Sequence, residues 1–182
     1  MFPSIKLKIQ NYILEKKVKK KRYKSNLITL SDVRKIGIVF DAPLSKDVVK
    51  VKDLLKYFLR KNIDVDVLGF VEKKKMEDFH LSTLHFNYIN LKDLSFWGVP
   101  NSTVVERFFS KEFDMLINLS LSNSFCTKYV TLNSKSKFRV GVFSQNNKLR
   151  YDLMFNLKIK SLDFFIKNVI YYLEMIDKNN EK

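Results

Sequence analysis

The sequence predicts an α/β fold: a mostly parallel, Rossmann-like sheet with helices on both faces, preceded by a basic N-terminal helix. Three observations carry this expectation. Strand-like and helix-like segments alternate over residues 36–176, the order that βαβ crossovers impose on a parallel sheet. The stretch Phe113-Asp114-Met115-Leu116-Ile117-Asn118-Leu119-Ser120 has four apolar residues among the five from Phe113 to Ile117, with no Gly or Pro. A strand apolar on both faces belongs inside a sheet covered on each side. The charge is also lopsided: of a net +15, residues 1–25 hold nine basic side chains and one acid.

Taken in order, residues 4–24 read as a helix. Ser4 suits its N-cap, Ile5, Ile9, Tyr12, Ile13 and Leu14 recur at roughly helical spacing, and the cations gather toward its C-terminal half, where the macrodipole favours them. A connector follows. Ile36–Phe40 is a first strand, broken by Asp41-Ala42-Pro43, and Ser45 is placed to cap a helix over 46–61. That helix aligns Val48, Val51, Leu54, Leu55, Phe58 and Leu59 on one face. Val65–Val71 completes a βαβ unit, with Lys73-Lys74-Lys75 in solvent beyond it. Residues 73–82 read as a short helix or loop, and Leu84–Asn90 as a third strand with one wetter face.

Leu91–Pro100 is a loop, and Thr103-Val104-Val105-Glu106 fits a capping box opening a helix to about residue 110. The central strand, 113–119, is followed by a helix at 123–134 and a strand at 137–143. Gln145–Lys148 reads as a turn, Tyr151–Leu157 as a short sixth strand, and Ser161 as the cap of a last helix over 162–176. The expected organisation is a basic helix (1–25), a connector (26–34), one α/β domain (35–177) and a frayed tail (178–182).

The 182 residues suffice for one core, supplied largely by 16 Phe and 8 Tyr. Heavy use of Lys, Asn, Ile and Phe beside a single alanine, Ala42, is also what an AT-rich coding sequence produces. The one cysteine, Cys126, excludes an internal disulfide and suits a buried apolar position. No apolar run approaches the length of a membrane span, and the N-terminus lacks a signal peptide's apolar core and cleavage site. A cytoplasmic location is therefore expected.

No catalytic signature is present. The first strand runs into Asp41-Ala42-Pro43-Leu44-Ser45 without the clustered glycines of dinucleotide sites, and there is no P-loop. A ligand could still meet a helix N-terminus at the carboxyl ends of the strands. Candidates are Asp41, Ser45, Ser120, Ser122, Asn123 and Ser124, which would equally serve as caps and turn formers. His80 and His85, five apart and without a Cys or acidic cluster, make no metal site. Asp114 and Asp152 follow aromatic residues at strand starts, a common place for charge. Phe96 and Trp97 could stack on a base or pin their loop to the core. No metal and no cofactor are implied.

The basic segment is the strongest functional signal. Lys6, Lys8, Lys16, Lys17, Lys19, Lys20, Lys21, Arg22 and Lys24 exceed what a structural helix needs. Cations gathered this way bind polyanions with strong salt dependence.

Leu94-Ser95-Phe96-Trp97-Gly98, Phe113–Asn118, Ser136-Lys137-Phe138-Arg139-Val140-Gly141 and Tyr151-Asp152-Leu153-Met154, taken together, resemble a family of small uncharacterised proteins from Bacteroidota, classed as a domain of unknown function. The basic start and the Tyr171-Tyr172-Leu173 ending are similar to it as well, so the likeness covers most of the chain. It implies a cytoplasmic bacterial protein and supplies no catalytic residues. Phe113–Gly141, under a fifth of the chain, also resembles a strand–helix–strand segment of heptosyltransferase-like glycosyltransferases, which use two such domains.

The expected function is a non-catalytic RNA-binding module, ribosome-associated through its basic helix, with the α/β domain offering a protein contact. One alternative is a small nucleotide- or sugar-phosphate-binding protein or enzyme using the carboxyl edge of the sheet. Another is peripheral binding to the inner membrane through the same helix.

Overall fold

The computed structural model describes residues 3–20, 28–122, 124–143 and 151–180. Helix α1 (Pro3–Lys20) comes first, then strand β1 (Lys35–Asp41), helix α2 (Ser45–Arg60) and strand β2 (Asp64–Val71). Strand β3 (Phe86–Asn90), helix α3 (Thr103–Ser110), strand β4 (Glu112–Asn118) and helix α4 (Phe125–Asn133) follow. Strand β5 (Lys135–Val142), strand β6 (Leu153–Phe155) and helix α5 (Leu162–Asn180) complete the chain. The six strands form one sheet in the order β3-β2-β1-β4-β5-β6, with every pair parallel. The α/β expectation is therefore met, and the sheet is parallel throughout.

This order arises because the chain builds outward from β1 to β3 and then returns to lay β4 on the other side of β1. The two halves diverge there, so a crevice opens at the carboxyl ends of β1 and β4. One core packs Ile36, Ile38, Phe40, Met115 and Ile117 against α2 and α5. The other packs Val39, Leu68, Phe113 and Leu116 against α3 and α4. Burying a large side chain completely, as at Phe40, Phe58 and Phe165, is worth about 1.5–3 kcal/mol each.

Several local readings need correction. Ser45 does not cap α2: Leu44 holds the N-cap position without a side-chain bond, and Ser45 is the first helical residue. Ser102, not Thr103, stands at the N-cap of α3, and its hydroxyl makes no cap bond. The capping box lies earlier, where the Asn90 side chain and Asp93 cap a short 3-10 turn, Leu91–Asp93. Of the two readings of residues 73–82, the loop is the one observed: they form turns and bends. Met76 and Phe79 from that stretch pack on the α2/α5 core, taking the place a crossover helix would fill. The third strand starts at Phe86, because Thr83 and Phe86 exchange backbone bonds in a turn and leave Leu84 exposed. Helix α5 runs on past residue 176, its end held where Asp177 accepts from the Ser31 N–H at 2.8 Å. The turn expected at 145–148, Lys21, Arg22, Lys24 and Asn123 lie outside the described residues.

Candidate nucleic-acid interface and carboxyl-edge cleft

Helix α1 lies against α4. Leu14 and Val18 pack on Leu132 of α4 and on the buried Tyr151, and Ile9 and Ile13 are half-buried on the same helix. Tyr151 is itself held firmly. Its ring lies over Gly141, where a Cβ would fall 2.4 Å from the ring, and Asn118 Nδ2 donates to its hydroxyl at 2.9 Å. The second Asn118 amide bond goes to Thr131 of α4 at 3.0 Å. The helix thus spends Leu14 and Val18, and part of Ile9 and Ile13, on the protein's own body.

Four of its lysines are left outside. Lys6, Lys8, Lys16 and Lys17 are exposed, and none forms an ion pair among the described residues. Lys19 and Lys20 close the helix. At 1.5 Å per residue the helix is a strip about 27 Å long. It runs alongside α4 in the same direction, since Lys6 and Gln10 lie near Phe125 and Val18 lies near Leu132.

The other aromatic candidates sit beside this strip. Ser95-Phe96-Trp97-Gly98 is a turn closed by Gly98 N–H to Ser95 O at 2.8 Å and Ser95 N–H to Val99 O at 2.8 Å. Gly98 has φ +82°, which a side chain would strain, and a Cβ there would meet Gln10 Nε2 at 2.8 Å. Gln10 Nε2 donates to Trp97 O at 2.9 Å, so the turn is fastened to α1. Phe96 and Trp97, edge to face with centroids 5.0 Å apart, keep 62% and 37% of their surface exposed. A cleft of about 460 Å³ lined by Lys6, Gln10, Leu91, Leu94, Gly98 and Phe125 adjoins the turn.

The carboxyl edge carries a second cleft, of about 390 Å³, at the β1/β4 crevice. Asp41, Asp47, Lys46, Lys50 and Lys160 stand around it, with Pro43, Leu44, Leu121 and Leu162 supplying apolar lining. The structure brings Asp41, Ser120 and Ser122 together: both hydroxyls donate to Asp41 Oδ2, at 2.5 and 2.7 Å. Ser124 donates its N–H to the Ser122 hydroxyl at 3.2 Å. Ser45 is exposed and does not join this group. Lys46 and Lys50 escaped the sequence reading, although their i, i+4 spacing directly after β1 puts both on one helix face at the strand's end. Gln10 carried no sequence signal at all.

The remaining titratable groups hold the fold together. Asp114 accepts from the N–H groups of Arg34 and Lys35 at 2.9 and 3.0 Å and from Lys137 Nζ at 2.8 Å. Partial burial would raise its carboxyl, but the Lys137 ammonium and the two N–H donors outweigh this and hold it below the usual carboxylate range. Asp152 accepts from the Arg139 N–H at 2.7 Å, so the two aspartates are structural. Buried Asp66 is bonded to Lys111 and lies 3.6 Å from Lys35. His80 Nδ1 accepts from the Glu77 N–H, which leaves Nε2–H to donate to Ala42 O at 2.9 Å. Burial pushes the Cys126 thiol up, with Asp41 and Asp93 adding to it, as suits an inert apolar residue. Among the described residues no group of three His, Cys, Asp or Glu could hold a metal, and no helix is long and apolar enough to cross a membrane.

The model of one family matches residues 6–176, described as a family of unknown function (DUF6913). The chain belongs to this family. No curated protein and no solved structure matches it. The match takes in α1 from Lys6 onward together with all six strands, so helix and sheet belong to one family unit.

Proposed function

We propose that this family member is a non-catalytic RNA-binding protein, a bacterial protein of the Bacteroidota kind that works in the cytoplasm and docks on ribosomal RNA through α1. The observation that carries this reading is the outward set Lys6, Lys8, Lys16 and Lys17, without ion pairs among the described residues, on a helix that Leu14 and Val18 fasten to the protein's own body. Cations without internal partners keep their full attraction for a polyanion and displace its counterions. Lys19, Lys20, Lys21, Arg22 and Lys24 extend the same run along the chain.

A membrane surface is a poorer partner. Of the apolar residues that α1 leaves exposed, Ile5 and Tyr12 share one face and Leu7 lies about 200° around the helix from Ile5, so the three make no continuous stripe. An interfacial helix needs such a stripe to enter the bilayer.

The test is co-sedimentation with ribosomes across a salt series. The comparison is the native chain against Lys6→Gln, Lys8→Gln, Lys16→Gln and Lys17→Gln combined, which keeps α1 in place over Tyr151. The native chain should pellet at low salt, and the variant should show a salt dependence shallower by about three in log–log slope. Identical, salt-indifferent behaviour of the two overturns the reading, as does flotation with anionic vesicles in the absence of any ribosome binding.

A second reading is a small phosphate-bearing ligand in the cleft at the β1/β4 crevice. It is favoured by Lys46, Lys50 and Lys160, which line the cleft and form no ion pair among the described residues. Thermal-shift measurements with nucleotides and nucleotide sugars test it. Stabilisation of several degrees, abolished by Lys50→Gln, supports it, and no shift across the set removes it.

A further inference from the structure

We infer that the 95–98 turn and the N-terminal half of α1 form a composite site for unpaired RNA, in which a base stacks on Phe96 and Trp97 while lysines of α1 hold the flanking phosphates. This rests on the RNA reading and deepens it, since cations alone do not distinguish a duplex from a single strand.

Several observations meet here. The two aromatics occupy the central positions of a turn closed by two backbone hydrogen bonds, so they are held out rather than folded in. Phe96 is 62% exposed, far more than a residue pinning a loop to the core would be. The turn is tied to the cationic helix through Gln10 and Trp97 O, although these residues are 87 apart in the chain. Gly98 gives the room for that approach, because any Cβ would strike Gln10. Lys6 lines the adjoining cleft of about 460 Å³, a size within the range of small-molecule pockets. Lys16 and Lys17 lie about three turns beyond Lys6 along the strip.

Aromatic faces next to lysines are the arrangement by which proteins grip single strands. Stacking accepts any base and the cations track the backbone. Duplex RNA keeps its bases paired and stacked and is read by shape and backbone. It would therefore engage the lysines and leave the turn unused.

The chain has one tryptophan, Trp97, so its fluorescence reports on this site alone. The experiment titrates the full chain with oligouridylate, with a duplex RNA of equal length and with heparin, a polyanion without bases. Oligouridylate should quench Trp97 strongly, while duplex and heparin bind with little quenching. Phe96→Ala should weaken oligouridylate binding about tenfold and leave heparin binding unchanged, and Phe96→Tyr should restore it. If all three polyanions bind with no quenching and Phe96→Ala has no effect, the stacking inference is overturned and the cationic reading survives. If neither RNA nor heparin binds, both fall. A Trp97 response to anionic phosphatidylglycerol vesicles with none to oligouridylate also overturns the inference.

Discussion

The amino edge of the sheet and the surface of α1 use the same residue type in opposite ways. At the amino edge, lysines are answered by aspartates of the strands: Lys35 with Asp64 at 3.1 Å, Lys111 at the end of α3 with Asp66, and Lys137 with Asp114 at 2.8 Å. On α1, Lys6, Lys8, Lys16 and Lys17 have no such answer among the described residues. A net charge of +15 treats these groups alike, but only the second set is available to a partner. The difference teaches that local pairing, rather than the total, decides whether a lysine is structural or functional. Exposed ion pairs add little stability, so the amino-edge pairs matter mainly where the carboxylate is buried, as at Asp66, or partly buried, as at Asp114.

The largest expected effect separates the two regions directly. Replacing Lys6, Lys8, Lys16 and Lys17 by Gln should lower RNA affinity on the order of a hundredfold at moderate salt, with the thermal midpoint unchanged. The same change at Lys56, Lys73 and Lys167, exposed but paired with Asp53, Glu77 and Asp163, should move affinity less than about twofold. Filter binding on both variants decides the matter, and equal losses would show that charge count alone governs binding.

Next comes the support beneath α1. Gly141→Ala places a methyl within 2.4 Å of the Tyr151 ring on which Leu14 and Val18 rest. Denaturant unfolding should show a loss of about 1–3 kcal/mol, and hydrogen exchange should rise in α1 before it rises in the sheet.

A smaller effect is expected from Asp114→Asn, which loses the charge that binds Lys137 and the entry to β1. The destabilisation should be about 1–2 kcal/mol near neutral pH. Because the folded carboxyl lies below its unfolded value, its contribution is present above about pH 4 and fades as pH falls through the folded value. The variant should therefore match the native chain in acid and fall behind it as pH rises. A constant gap at all pH values would mean that this carboxylate's charge is not what stabilises the edge. The smallest change is Gln10→Ala, which releases the turn from α1 at a cost of about 0.5–1 kcal/mol and should broaden the Trp97 emission.

Much of the fold was legible because apolar runs and their periods are local. Ile36–Phe40 and Val65–Val71 announced buried strands, and the spacing of Val48, Val51, Leu54 and Phe58 announced α2. The misreadings fell where a single side-chain bond decides an end. Ser45 and Thr103 looked like caps, but the backbone becomes helical one residue earlier than each reading requires. The link before β3 stayed open between a short helix and a loop because Met76 and Phe79 pack against the core from turns, and burial without regular spacing cannot be read as either element. The polar candidates at the carboxyl edge were legible as residue types, while the bonds joining Asp41 to Ser120 and Ser122 were not.

Residue order was sufficient for the element types, the buried faces and the crowding of cations at the front of the chain, since each follows from neighbours a few positions apart. Tertiary structure alone decided which lysines meet an aspartate, that Asp41 and Ser120 share a bond across 79 positions, and that Phe96 and Trp97 stand beside α1. Those meetings depend on the path by which the chain returns to β1 and on the side of α4 that receives the helix. No short-range pattern encodes either of them.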